Sequence, residues 1–560
     1  MNDIRRTILW VIFGFSMVLL WDKWQVHNGH KATFFPSPAA VTASAPEGGA
    51  SAAQPTAARA STPAAAPAGA AQVPGGEAAA PVARERVTVT SDVLRLEFDG
   101  QGGSLVHGEL LKYPAMEDKA KPFVLFDDSA SRVYQAQTGL IGGAFPTHKT
   151  TMALVPGPRE LKDGEDTLQV RFESPDLGGV KLAKTWTLKR GAYDIAVKHE
   201  VVNTGTAAVS PQLYLQLVRD GNKPAGESSF YSTFTGPAVY TEAKKYQKVE
   251  FKDIENGKVD IEKSASNGYA AMVQHYFASA WLLADGVQRD LFMRKVDTNL
   301  YAVGMITSVG EIAPGQAKAV DARLFAGPQV EKTLESLTPG LELVKDYGMF
   351  TILSKPLYWL LDKIHGVLGN WGWSIIGLVL LLKIAFYWLN AKAYASMAKM
   401  KAINPKIMEM RERLKDKPQQ MQQEMMRIYR EEKVNPMGGC LPIMIQIPVF
   451  IALYWTLLAS VEIRQAPWLG WITDLSAKDP YFILPVLMTI SMYVQSLLSP
   501  PPPDPMQAKI MKIMPLVFSF MFFMFPAGLV LYWVVNNVLS ILQQWLITRQ
   551  IEGGKKLVKG

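Results

Sequence analysis

A single cysteine, Cys440, stands in 560 residues, which excludes an intramolecular disulfide and every zinc or iron–sulfur site built from several thiolates. Nucleotide-driven chemistry finds no seat either, because the sequence has no Walker loop and no G-x-S-x-G elbow. His199-Glu200 is followed by Val-Val-Asn, so no second histidine completes a zinc-helix motif; His199 shares a strand face with Ile195, Val197 and Val201 and reads as a hydrogen-bonded core residue. Carboxylates are absent from five apolar runs, residues 371–389, 441–459, 481–498, 510–525 and 527–547. No catalytic, metal or cofactor site is expected. Whatever the chain does must be driven by its substrate or by a partner.

The composition is segregated along the chain. Residues 1–24 combine Arg5 and Arg6 with an apolar body ending in Trp21, Asp22, Lys23 and Trp24, the pattern of an uncleaved signal anchor. From Pro36 to about Ala83 the composition collapses to Ala, Pro, Ser, Thr and Gly, too poor in large apolar side chains to offset ordering entropy, and residues 25–83 read as a tether. From 84 to 340 short alternating runs (93–98, 167–172, 180–188, 193–202 and 212–218) are punctuated by turn residues such as Asn203-Thr-Gly. They predict a mostly β domain, a large sandwich. Its 30 basic and 32 acidic residues leave it near neutral, and no specific DNA partner is expected.

Residues 341–370 end in an amphipathic helix, 354–370, with Ser354 as a cap candidate and Leu357, Leu360, Leu361, Ile364 and Leu368 on one face. It suits a membrane interface, and packing on the β domain explains it equally well. The five apolar runs follow in residues 371–548, giving six spans with the N-terminal anchor. With the N-terminus inside, the cytoplasmic segments 1–6, 390–436, 499–512 and 548–560 carry +1, +5, +1 and +3, while the outside segments 22–370 and 460–480 carry −2 and −1. That asymmetry puts both termini in the cytoplasm and the β domain outside.

Between the first two of these runs, 391–436 predicts a charged helical hairpin. Met400, Ile403, Ile407, Met410 and Leu414 form one stripe and Met421, Met425 and Ile428 the returning one, so the arms should zip together; the methionines and basic residues also suit contact with a ribosome or an emerging apolar segment. Lys383 is the sole charge of its run, and an ammonium there costs at least about 2.5 kcal/mol. It reads either as a lysine snorkelling to the inner headgroups or as a hydrated charge in a wet cavity between helices. Gln446, Gln495, Asn536 and Asn537 supply amides that could line that cavity or bond helix to helix.

Several ungapped motifs lie in order on these runs: Asn370-WGWSII, Ser396-MAKM, Asn404-PKI, Met410-RERL, Gln423-EMM, Val434-NPMGGCLP, Val461-EIRQAP, Asp474-LSAKDPY, Asp504-PMQ and Phe525-PAGLVLYW. With them, residues 346–550 resemble the YidC membrane-protein insertases of the wider Oxa/Alb superfamily, in the Gram-negative form. The resemblance implies a polytopic α-helical membrane protein of six spans, five of them forming an insertase core, with a periplasmic all-β supersandwich similar to sugar mutarotases. It implies an inner-membrane insertase and chaperone without enzymatic activity, acting alone or with the Sec translocon and its accessory subunits. Its partners would be nascent inner-membrane proteins, the ribosome and membrane lipids, with the basic tail 549–560 helping to dock them.

The implied groove is hydrophilic and is lined by Lys383, Gln446, Tyr532, Trp533, Asn536 and Asn537. The family usually carries arginine where this chain has Lys383, and many relatives have tyrosine where it has Trp533. Two other readings use the same features. A small-solute transporter would share the wet cavity, and a membrane-anchored carbohydrate-active domain would make the β region the working part.

Overall fold

In the computed structural model the described residues are 73–74, 85–224, 233–415, 417–432, 441–498, 509, 513–514, 516 and 519–557. The expected N-terminal anchor, nearly all of the tether, the Val434 motif through Cys440 and the end of the basic tail lie outside them. The described chain divides into two compact units, one holding residues 69–360 and 448–466, the other 361–447 and 467–560.

Period-two alternation in the first unit closes into two nine-stranded antiparallel sheets. In one, spatial order runs Arg86–Thr90, Leu94–Asp99, Ser104–Pro114, Pro122–Ser129, Arg132–Ile141, Gln212–Asp220, Leu300–Ser308, Arg289–Asp297 and Ser264–Ala265. In the other it runs Lys245–Lys248, Gly236–Thr241, Tyr269–Gln274, Phe277–Leu283, Ala317–Pro328, Asp194–Asn203, Val180–Lys189, Thr167–Glu173 and Ala153–Leu154. The five runs expected from alternation are all strands, with ends shifted by one or two residues. Each sends alternate side chains inward, as Leu182, Trp186 and Leu188 do beside Ile195, Val197 and Val201. The core is aromatic as well as aliphatic: Trp186 packs 5.0 Å from Phe98 and 6.1 Å from Trp281, centroid to centroid.

The same unit takes in a helix and a loop from much later in the chain. Helix α1 (Thr351–Leu368) starts one turn earlier than expected, and Ser354 is not its cap. It is fully buried, and its hydroxyl donates to the carbonyl of Ala452, 3.1 Å away, on an apolar helix that the next paragraphs describe. The loop after Ala459 enters the sandwich core through Val461. Glu462 there meets the wholly buried side chain of Lys345 at 3.3 Å and accepts the Tyr358 hydroxyl at 2.6 Å. The Lys345 ammonium also lies 3.8 Å from the centre of the Tyr358 ring. Arg464 donates to the carbonyl of Pro114 and faces the rings of Phe123 and Phe277.

The second unit is helical. The left-handed Gly369 (φ 66°) stops α1, and Asn370 starts α2 (Trp371–Ala385) by accepting the Trp373 amide at 3.1 Å. The apolar run 371–389, expected as one span, breaks at Phe386, and α3 (Tyr387–Arg413) leaves at 68°. The hairpin is as the stripes predict: α4 (Pro418–Glu431) returns along α3, with Ile403, Ile407 and Met410 buried against Met400, Leu414, Met421, Met425 and Ile428.

Three further helices follow, α5 (Leu441–Ala459), α6 (Ile483–Leu498) and α7 (Ala527–Leu557); α5 passes from this unit into the first at Pro448, so Ala452 belongs to the first unit. Six full-length spans are not what the described residues contain. One helix, Ala527–Gln550, is long and apolar enough to cross a membrane alone, and α2 with α3 passes as a bent pair. The stretches Gln446–Ala459 and Ile483–Leu498 are shorter apolar helices. Part of the expected run 510–525 lies, like the N-terminal anchor, outside the described residues; the run 371–389 falls short as a single helix because Asn370 caps it at its start and the break at Phe386 ends it early.

Candidate functional site

Lys383 lies in the last turn of α2, so the break at Phe386 changes its surroundings. Unpaired carbonyls at a helix C-terminus favour a cation by about 0.3–1 kcal/mol, an advantage a mid-helix lysine lacks. Its side chain does not run free to an interface. The residue is only 7% exposed, and Nζ donates to Oγ of Ser540 on α7 at 2.7 Å. Ser540 in turn donates to the carbonyl of Asn536 one turn back, also at 2.7 Å. Among the described residues no carboxylate stands against the ammonium.

From Asn536 the polar chain continues across to α5. Its Oδ1 accepts from Nε2 of Gln446 at 2.8 Å, and Gln446 is also bonded to Tyr532. Lys383, Gln446, Tyr532 and Asn536 are therefore joined in one network, which Ser540 completes. Asn537 is not part of it: one residue further round α7, it donates to Oγ of Ser491 at 3.2 Å and lies 3.5 Å from Sδ of Met488, both on α6. Trp533 packs edge-on against Phe522 at 5.6 Å. Met400, Met410, Met421 and Met425 sit in the hairpin seam, while Met408 and Met426 are exposed.

On its other side Lys383 borders a cavity of about 370 Å³ lined by Leu380, Ile384, Tyr387, Leu539, Leu542, Gln543 and Leu546. Its walls are mainly aliphatic, which departs from the wet pocket expected for an isolated cation. An ammonium has three donors, and one is used on Ser540. The geometry thus sets a cation with donors to spare between a polar network and an apolar recess, an arrangement suited to a ligand that is polar at one end and greasy at the other.

The β unit contains a second buried polar cluster, and it has no such freedom. Lys184 is fully buried, with Nζ donating to the carbonyls of Gly102 at 2.6 Å and Thr138 at 2.7 Å. Burial pushes its pKa down to about 7. His199 bonds Oγ1 of Thr138 at 3.0 Å and is pushed down to about 3, first by burial and then by the Lys184 charge. His148, 2.7 Å from the Tyr214 hydroxyl, is also lowered to about 3 by burial. His199 is thus the core residue its strand face implied. Among the described residues no three metal-ligating side chains come together.

Ser540 was missed from sequence, yet a signal for it exists. Asn536, Ser540 and Gln543 recur at spacings of 4 and 3 on α7, and Lys383, Tyr387, Asn390 and Tyr394 at 4, 3 and 4 on the facing chain. The two stripes meet: Asn390 donates to Gln543 at 3.5 Å, Gln543 donates to the Lys383 carbonyl at 3.3 Å, and Tyr394 is bonded to Ser540.

Comparison with known proteins covers nearly the whole chain. The family described as YidC periplasmic domain matches residues 86–360, and that described as 60Kd inner membrane protein matches 363–555. A membrane protein insertase YidC of Cupriavidus metallidurans is 56% identical over 553 residues, 99% of each chain. The same-named protein of Bordetella pertussis is 54% identical over 556 residues, 98% of each. A crystal structure of an active YidC insertase covers 82% of this chain and 92% of its own at 18% identity and TM-score 0.38. A galactose mutarotase-like protein of Lactobacillus casei covers 43% of this chain at 9% identity and TM-score 0.29. Both scores are too low for the structural likeness to bear on function.

Proposed function

This chain belongs to the YidC family of membrane protein insertases, and on that premise we propose that it inserts inner-membrane proteins through the polar network centred on Lys383. The observation that carries the reading is the Lys383 ammonium, held by Ser540 at 2.7 Å with no carboxylate against it among the described residues. Moving a polar or acidic tail across hydrocarbon is costly because its groups lose water without replacement. Lys383, Gln446, Asn536 and the Tyr532 hydroxyl offer that tail alternative partners part-way, and the barrier falls without nucleotide hydrolysis. The apolar segment behind the tail is held first along the aliphatic recess, then leaves into lipid, releasing about 25 cal/mol per Å² of apolar surface buried.

Six spans with both ends cytoplasmic complete the reading. It is supported by the charge asymmetry of the segments and by the packing of Val461, Glu462 and Arg464 within the β unit, which keeps that loop on the β domain's side of the membrane. The partners are nascent inner-membrane proteins, the Sec translocon and its accessory subunits, ribosomes and lipids, with the hairpin, the basic tail and the exposed Met408 and Met426 on the ribosome's side. Site-specific photocrosslinking tests the site. Probes at positions 383, 446 and 533 should capture an arrested nascent membrane protein, and a probe at exposed Lys245 should not; equal capture from all four would overturn the assignment.

A further inference from the structure

Two residues of the Ala/Pro-rich segment, Val73 and Pro74, are seated on the outer face of the first sheet. Val73 is 6% exposed and packs with Ile141, Tyr214, Phe292 and Ile306, side chains from four adjacent strands. The floor is made by omission. A Cβ at Gly139 would come within 2.4 Å of the Tyr214 hydroxyl, and one at Gly304 within 2.7 Å of the Phe292 ring, so two glycines leave room for the two rings. At the rim, the guanidinium of Arg294 donates to the carbonyl of Val73 at 2.7 Å and to that of Pro74 at 3.2 Å.

We infer that this face is a binding site for an extended peptide, a β-branched residue followed by proline, which residues 73–74 occupy as a built-in ligand and which another polypeptide of the same chemistry can take over. Arg294 lies 221 residues from Val73 in sequence, so chain connectivity does not force the contact. What is recognised is little: two successive carbonyls by one planar fork, and one branched side chain by an apolar pocket. Proline suits the role because it holds the residue before it extended and brings no N–H that needs a partner, so the bound shape is largely pre-set and ordering costs little. The competitor the site would take is a translocated loop of a client protein that carries such a dipeptide. The covalent tether supplies the resident ligand at an effective concentration in the millimolar range, which keeps the site closed to weak competitors and open to strong ones. The inference does not depend on the Lys383 groove.

The test uses the full-length protein in detergent micelles and a fluorescein-labelled peptide with the sequence of residues 69–78, followed by anisotropy. Val73→Asp, which evicts the resident segment without touching the sandwich, should bind the peptide about tenfold more tightly than the unaltered protein. Adding Arg294→Gln should abolish that gain. A peptide with Asp-Gly in place of Val-Pro should bind Val73→Asp at least tenfold more weakly, a control that needs no second variant to fold. Equal binding by the unaltered protein and Val73→Asp, or equal binding of the two peptides, would overturn the inference.

Discussion

Two lysines, one in each unit, are nearly as deeply buried and do opposite things. Lys184 spends its ammonium on two backbone carbonyls inside the sandwich, that of Gly102 in the turn after Leu94–Asp99 and that of Thr138 on the strand Arg132–Ile141. Lys383 is bonded to a single serine hydroxyl and has a recess of about 370 Å³ at its side. The surroundings differ in the same sense. In the β unit Arg289 is likewise held by backbone, through the carbonyls of Gly268, Ser266 and Ala284. In the helical unit side chains also bond to side chains from helix to helix, as Gln446 does to Asn536 and Asn537 to Ser491, while Leu380, Ile384, Trp388 and Phe520 face outward, as suits helices whose solvent is lipid. A buried charge spent on two backbone carbonyls specifies a shape; one with donors to spare beside a recess remains available to a visitor.

That contrast is broken most directly at Lys383. Lys383→Glu should lower insertion of a substrate with an acidic tail by tenfold or more, and Lys383→Ala by somewhat less, while Lys383→Arg stays near normal; protease protection of the inserted tail measures this. Full activity in Lys383→Glu would remove the electrostatic role. Next in size is the ion pair of the β unit. Glu462→Gln removes the carboxylate charge from buried Lys345 and should destabilise that unit by up to about 3–5 kcal/mol, read by hydrogen exchange in the strand Ala317–Pro328.

Acid should sharpen the comparison further. The folded-state values of His148 and His199, about 3, lie below the ordinary 6.5, so the unfolded chain binds more protons between those limits. Stability from keeping both rings neutral is fully present above pH 6.5. It is lost as pH falls toward 3, at about 1.4 kcal/mol per histidine per pH unit at the steepest. Urea titrations of the full chain at pH 7 and pH 5 should show the β unit losing stability, and His199→Gln should reduce the loss. The smallest effect belongs to Asn537, whose bond to Ser491 joins two helices. Asn537→Ala should cost about 0.6–2 kcal/mol of helix association and leave insertion nearly unchanged, unlike Asn536→Ala.

The strands were legible because alternation is a local property, and the hairpin seam because its methionines and isoleucines repeat at 3 and 4. Lys184 escaped notice although it sits between Leu182 and Trp186 on an inward face, since nothing local shows that two carbonyls from other strands will meet it. The break at Phe386 was hidden by an apolar run with no proline or glycine at the bend. Val73 could not be singled out from its neighbours because its partners lie on strands remote in the sequence. Of the groove, the amides and the lysine could be read as rare polar residues in apolar runs. Their division into a network around Asn536 and a separate tie at Asn537 depends on helix rotation.

The salt link at the base of the sandwich has a consequence for timing. Lys345 is translated 117 residues before Glu462, so throughout that interval the carboxylate that meets its ammonium in the folded unit has not yet been made. The β unit is therefore complete only after the residues that follow α5 have joined it. A molecule whose work is delivering other chains thus finishes its own outer part only once most of its helices have been made.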